Sequence, residues 1–451
     1  MSKFHLYLIA VLLIAFCYAC EKGNDFSIDR NSSLSFSMDT LSFDTLITGN
    51  GSTTKQIKIY NRSTKGIHIS RIYLGDENSS YRINLNGVQG KEWADIDLAK
   101  KDSLFAFVEV ALDTANEDTP RLLKDQLVFD MDGEQQKVVI QTWAQDVYRI
   151  TDNISNTQTW TANRPYLIVD STCLNQGVTL TIEEGSSIYF RKGAALHVKG
   201  NINVAGSFDH PVYLEGERQE KLYENVPGQW DGIYFYEESK NNTFSHFILK
   251  NGSNALHFTG NASLANSLNL EYGIIKNFSQ KGIFLRDVTF HIHDILLTNC
   301  REECVQLDGN SHGELYHATL YNTWFYTSRF SSILKLTENA KISLIIGNSI
   351  IWGSKRDEIE LAKTENIQIL NSLIKLGDAK QRASAVVFAE CSFNENPLFT
   401  NPEEFDFTLQ VNSPAINSGR GEFGNLFPLD LQGTKRNEDA APDQGSYEYA
   451  E

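Results

Sequence analysis

Two histidines one residue apart, His291-Ile292-His293, are followed directly by Asp294 and preceded by Arg286-Asp287. Imidazoles titrate near neutral pH, move protons and ligate metals, so this is the first place to look for chemistry. A strand alternates its side chains, which would put His291 and His293 on one face and Asp294 on the other. The three are therefore not expected to meet through that strand alone. If the histidine pair faces solvent, neighbouring segments could bring Asp308, His312, His317 or His257 to a sugar-sized groove beside it. A plainer reading makes them surface histidines between stacked strands.

A bound transition metal needs three or more converging ligands, and the spacing supplies two. No metal site and no cofactor are assigned; calcium bridging neighbouring acidic corners is the one cation left open. Glycosidases need two carboxylates a few Å apart. The acidic pairs Glu183-Glu184, Glu237-Glu238 and Glu302-Glu303 sit at turn-like positions, and no Asp-Asp pair occurs. The aromatic residues are more suggestive. Tyr316, Tyr321, Trp324, Phe325 and Tyr326 cluster where a lateral loop is expected, and Trp352 lies about one repeat later. Aromatic faces beside polar groups can stack on sugar rings. Tyr321, Trp324, Tyr326 and Trp352 are the candidate glycan platform, against the alternative that they seal a core.

The elements that would position these residues are strands. From Tyr166 onward, runs of three to five residues such as Leu196-His197-Val198 and Ile202-Asn203-Val204 are punctuated by Gly200 and Gly206, without a helical period. Such strands cannot each close a core, but stacked coils can. An asparagine recurs behind apolar runs at Asn251, Asn277, Asn299, Asn322, Asn348 and Asn371, at intervals of 22 to 26 residues. One coil per interval is the expectation. Each Asn would turn the same corner and hydrogen-bond backbone there. A parallel β-helix of about ten coils fits, and the Leu-x-x-Leu-x-Leu frame of a leucine-rich repeat is absent.

Before it, short alternating runs such as Lys55 to Tyr60, where Ile57 and Ile59 share a face, suggest about seven strands. Asp132-Gly133 between apolar runs is a hairpin signal. An immunoglobulin-like sandwich without the Cys…Trp…Cys hallmark is predicted, with Trp143 packing at its exit.

The chain has 451 residues and a formal net charge of -17. That length calls for more than one compact domain, and the acidic balance excludes a binder of nucleic-acid phosphates. At the start, Lys3 precedes an apolar run from Leu6 to Phe16 that is too short to span a bilayer. Beyond position 20 the cysteines are Cys173, Cys300, Cys304 and Cys391, too sparse for a disulfide scaffold. Cys300 and Cys304 are expected as small buried side chains, with a bridge as the alternative.

Ala19-Cys20 followed by Glu21-Lys22-Gly23 resembles a bacterial lipoprotein signal, which implies lipidation of Cys20. The run Thr179 to Gly185, then Pro227-Gly228-Gln229-Trp230-Asp231-Gly232, resembles the first coils of right-handed β-helix lipoproteins of gut-type Bacteroidetes. The tail Asn412-Ser413-Pro414-Ala415-Ile416-Asn417-Ser418-Gly419 and Pro442-Asp443-Gln444-Gly445 is similar to their closing segment. The resemblance implies an all-β chain: signal peptide 1–19, tether 20–33, N-terminal immunoglobulin-like β-sandwich 34–148, right-handed parallel β-helix 149–400 and C-terminal capping segment 401–451, the last closing the column's far end. It also implies a location at the bacterial outer membrane, periplasmic or surface-exposed and lipid-anchored. The expected function is non-catalytic binding of a glycan or another surface component. The alternative is a polysaccharide lyase or glycoside hydrolase working in a lateral groove, since this fold hosts many activities.

Overall fold

The computed structural model describes residues 33–337, 341–361, 366–377 and 386–449. Cys20 and the expected signal lie outside them. The chain divides into two units, Met1–Gln145 and Asp146–Glu451. Among the described residues the structure is all-β apart from the short α-helix Gly421–Leu426 and two 3-10 turns. No helix there is long and apolar enough to cross a membrane.

The first unit holds two five-stranded sheets around one core. In Lys55–Tyr60, Ile57 and Ile59 are fully buried while the residues between them face outward, the period of two that half-buried strands require. Asp132 and Gly133, both at positive φ, turn Arg121–Met131 into the antiparallel partner of Glu134–Gln145. Trp143, expected as a packing residue, is 45 % exposed. It occupies an outward position of its strand, where alternation buries Thr142 and Ala144 instead.

The second unit is dominated by an 18-stranded and an 8-stranded sheet whose strands pair in parallel, an arrangement consistent with a parallel β-helix. Inward side chains stack from one coil to the next. Leu249, Ile275, Leu297, Leu320, Ile351 and Ile374 are successive partners in register, and all are buried. No single coil could bury these residues; the stack does so collectively. Cys300 and Cys304 are free thiols in this core, both fully buried.

Three successive coils turn at two corners where non-glycine residues take positive φ, and the next three keep that conformation at the first of the two. Asn and Asp tolerate that conformation better than other L-residues. One corner carries His246, Tyr272, Asp294, His317, Asn348 and Asn371, with φ between 44° and 50°. The other carries Asn251, Asn277 and Asn299, and Asn322 continues that row in register. The six asparagines therefore do not mark one corner, as their spacing suggests. Four belong to one row, whereas Asn348 and Asn371 belong to the other. The lateral loop after Asn322 lengthens that coil, so the register partner of Asn322 is Gly353, not Asn348. An interval matching one coil arises from stepping back one corner.

Within the first row, Asn277 Nδ2 donates to Asn251 Oδ1 at 3.2 Å and Asn299 Nδ2 to Asn277 Oδ1 at 2.7 Å. Asn322 Nδ2 reaches the Cys300 carbonyl at 2.6 Å. In the second row, Asn371 Nδ2 donates to Glu390 Oε2 at 2.9 Å.

The C-terminal segment, expected to close the column's far end, instead packs its described residues along the column's side. They lie across the outer face of the long sheet. Phe399, Phe407, Leu409, Ala415 and Tyr447 form a second apolar cluster with Leu296, Ile350 and Leu373, which alternate with the inward ladder. Strands buried on both faces read as continuous apolar runs, and Ile295-Leu296-Leu297 and Ile350-Ile351-Trp352 are such runs.

Candidate functional site

The strand Thr289–Cys300 lies between Ser267–Phe278 and His312–Tyr316, all parallel. Register places Glu271 beside His293 and His291 beside Glu314. With Asn269, Tyr316 and Phe427 they line a shallow depression of about 280 Å³. His293 Nε2 lies 3.2 Å from Glu271 Oε2, and His291 Nδ1 lies 3.7 Å from Glu314 Oε2.

Alternation should turn Asp294 away from His293, but the positive φ of Asp294 turns the corner between them. Asp294 Oδ2 consequently sits 2.8 Å from His293 Nδ1. Both imidazole nitrogens thus face carboxylates. Burial alone would lower the His293 pKa; the bonds to Asp294 and Glu271 outweigh it and hold the group up at about 8. The bond to His293 also holds Glu271 below the usual carboxylate range.

Behind Asp294 the chain of charges continues into the C-terminal segment. Arg436 Nη2 donates to Asp294 Oδ1 at 2.6 Å, and its Nη1 donates to Glu448 Oε1 at 2.5 Å. Burial pushes Glu448 up to about 8 against the pull of Arg436. Phe427, just past the short helix, stacks on His293 with ring centroids 4.3 Å apart. A residue 134 positions away in sequence therefore forms one wall of the depression.

The other sequence candidates separate from this site. Asp308 ends a strand of the eight-stranded sheet and is held by Arg286 Nε at 2.8 Å. His312 pairs in register with Thr289, four residues before His293, and bonds its hydroxyl at 2.8 Å. His317 is fully buried, faces Asn348 Nδ2 at 3.3 Å, and is pushed well below the ordinary histidine range by burial and by Arg436 and His293. It lines no groove. His257 belongs to an aromatic stack on the other sheet, between Tyr234 and Phe284.

The glycan platform also changes. Tyr321 and Trp352 pack beneath the C-terminal segment, with Phe399 and Phe407 centred 5.6 Å and 5.0 Å from Tyr321. Trp324 is buried, its Nε1 bonded to Thr327 Oγ1 at 2.9 Å. Tyr326 keeps an exposed ring and donates its hydroxyl to the Asn225 carbonyl at 2.8 Å. Of the four, only Tyr326 presents substantial surface.

Glu271, Glu314, Phe427 and Arg436 were not singled out from sequence. Glu271 and Glu314 were findable, because each stands one coil from a histidine of the pair; Phe427 and Arg436 carry no such periodic signal. Among the described residues no cluster of three or more His, Cys, Asp or Glu side chains could hold a metal. A larger open groove of about 510 Å³ in the first unit is lined by Arg82, Asn84, Lys91 and Glu109 among others, without a histidine.

No family model and no curated protein matches the chain. Among solved structures, it is similar to a family 123 glycoside hydrolase from Clostridium perfringens at 8% identity, with a TM-score of 0.19, over 28% of this chain and 30% of that one. The chain thus matches less than a third of that enzyme's length. It is also similar to the PapD-like domain 7 of human CEP192 at 10% identity, with a TM-score of 0.18, over 26% of this chain and 85% of that domain.

Proposed function

We propose that this protein binds a glycan, without turning it over, in the depression between Asn269, Glu271, His291, His293 and Glu314. One observation carries the reading: polar side chains from three successive parallel strands converge beside the rings of Tyr316 and Phe427 in a shallow, open site. Hydroxyl-rich rings suit such a surface, with carboxylates and imidazoles as hydrogen-bond partners and an aromatic wall for the ring face. His293 is held between two carboxylates and stacked on Phe427, which supports a fixed binding group rather than a mobile proton carrier.

The finer architecture belongs to the same reading. The second unit is a right-handed parallel β-helix, the first an immunoglobulin-like spacer, and Cys20 a lipid anchor at a bacterial outer membrane of Bacteroidetes type. The signal-like residues 1–20 and the two-sheet first unit support this. Mass spectrometry of the membrane fraction should find diacyl or triacyl Cys20; an unmodified soluble N-terminus rejects the anchor.

Hydrolysis is the second reading, favoured by the exposed carboxylates of Glu271 and Glu314. They stand two strands apart and two residues out of register, about 12 Å between backbones at the spacing and rise of parallel strands, so their side chains would have to close the distance to that of an inverting pair. The full chain in detergent, titrated against a saccharide array with product analysis, separates the two. Binding lost in His291→Ala without released sugar supports the binder. Turnover abolished by Glu314→Gln with binding retained supports the hydrolase, and no binding to any saccharide rejects both.

A further inference from the structure

The charges of the depression are unequally satisfied. Glu271 is matched by His293 at 3.2 Å and also accepts a hydrogen bond from Ser245. Asp294 is matched by His293 on one oxygen and by Arg436 on the other, and is wholly buried. Glu314 differs. Its one ion-pair candidate among the described residues is the His291 imidazole at 3.7 Å, beyond hydrogen-bond reach, and the side chains of Glu314 and His291 are well exposed, at 41% and 57%. The negative charge still free to meet a ligand is therefore that of Glu314. Tyr316 and Phe427 also line the depression, their rings 5.3 Å apart. A carboxylate beside aromatic faces suits an ammonium group, which gains from both the charge and the ring quadrupoles. A ligand carboxylate would meet Glu271 and Glu314 with like charge.

Resting on the reading of this depression as a glycan site, we propose that its ligand is a glycan bearing free amines, an amino-sugar polymer, and not a uronate. Glu314 is the residue that selects it, while Asn269 and His291 take neighbouring hydroxyls.

The test is calorimetric titration of the full chain in detergent with three probes: the glucosamine tetramer, the N-acetylglucosamine tetramer and tetragalacturonate. The buffer is slightly acidic, so that the amines are protonated. The glucosamine tetramer should bind about fivefold more tightly than its acetylated counterpart, the strength of a partly exposed ion pair, with tetragalacturonate weakest. Glu314→Gln should erase the difference between the first two and leave the thermal midpoint unchanged. Equal binding of the amine and acetamide, or preference for galacturonate, overturns the amine while leaving the glycan site standing. Failure of all three to bind overturns the amine, and the glycan site falls with it if the saccharide array is also without a binder.

Discussion

Arg436 and Asp294, 142 residues apart in sequence, form an ion pair in which neither side chain retains any exposed surface. This pair joins the C-terminal segment to the corner that orients His293. Removing one partner of a buried pair strands the other charge, which typically costs about 3–5 kcal/mol, whereas an apolar replacement of both costs far less. Arg436→Met should therefore lower stability by roughly that amount in urea denaturation. The double variant Asp294→Leu/Arg436→Met should recover part of it. A single variant of wild-type stability would show that the pair does not hold the segment down.

His293 makes stability depend on pH. Its folded pKa of about 8 exceeds the ordinary value of 6.5, so the stabilisation is complete below pH 6.5 and is lost as pH rises through 8. The shift corresponds to about 2 kcal/mol at most. The stability gap between wild type and His293→Gln should accordingly be larger at pH 6 than at pH 9. A gap independent of pH would show that the imidazole is not held protonated.

Asn277 both donates to Asn251 and accepts from Asn299, at a φ of 64°. Asn277→Ala removes these bonds and places an alanine in the left-handed region. A loss of about 2–4 kcal/mol is expected in chemical denaturation. Asn348→Ala tests the other corner: it frees the Arg420 backbone, which Asn348 binds through both amide atoms at 2.7 Å and 3.1 Å. Limited proteolysis should then cut near the helix Gly421–Leu426 sooner than in wild type.

Gly347 lies where the short helix docks. A Cβ there would stand 2.7 Å from both Phe423 and Tyr316. Gly347→Ala should push Phe423 away and widen the depression next to His293. Saccharide affinity should fall, with the imidazole resonance of His293 moving as its Phe427 neighbour shifts. Unaltered affinity would mean that the helix has no part in the site.

Tyr321→Ala and Trp352→Ala should destabilise the fold by about 2–4 kcal/mol, because both rings are packed under the C-terminal segment. Phe325→Ala should change stability by no more than about 0.5 kcal/mol, since that ring is 70% exposed. Thermal melts of the three variants decide between the packing role and a surface role for Tyr321 and Trp352.

The sequence by itself determined the strands, the coil length, the Asp132-Gly133 hairpin and the pairing of His291 with His293 on one face. All of these follow from short-range rules: alternation, turn chemistry and the recurrence of Asn at corners. Tertiary structure decided what no local rule encodes. The loop after Asn322 shifted the count, so a one-coil interval in sequence became a step between two corners. The corner at Asp294 broke the alternation and brought its carboxylate to His293. The tail covered Tyr321 and Trp352, because outward apolar side chains on a parallel sheet must be buried by something, and only the fold specifies which segment arrives. Register between coils set Glu271 and Glu314 around the histidines, and a chain end more than 130 residues away supplied Phe427 and Arg436.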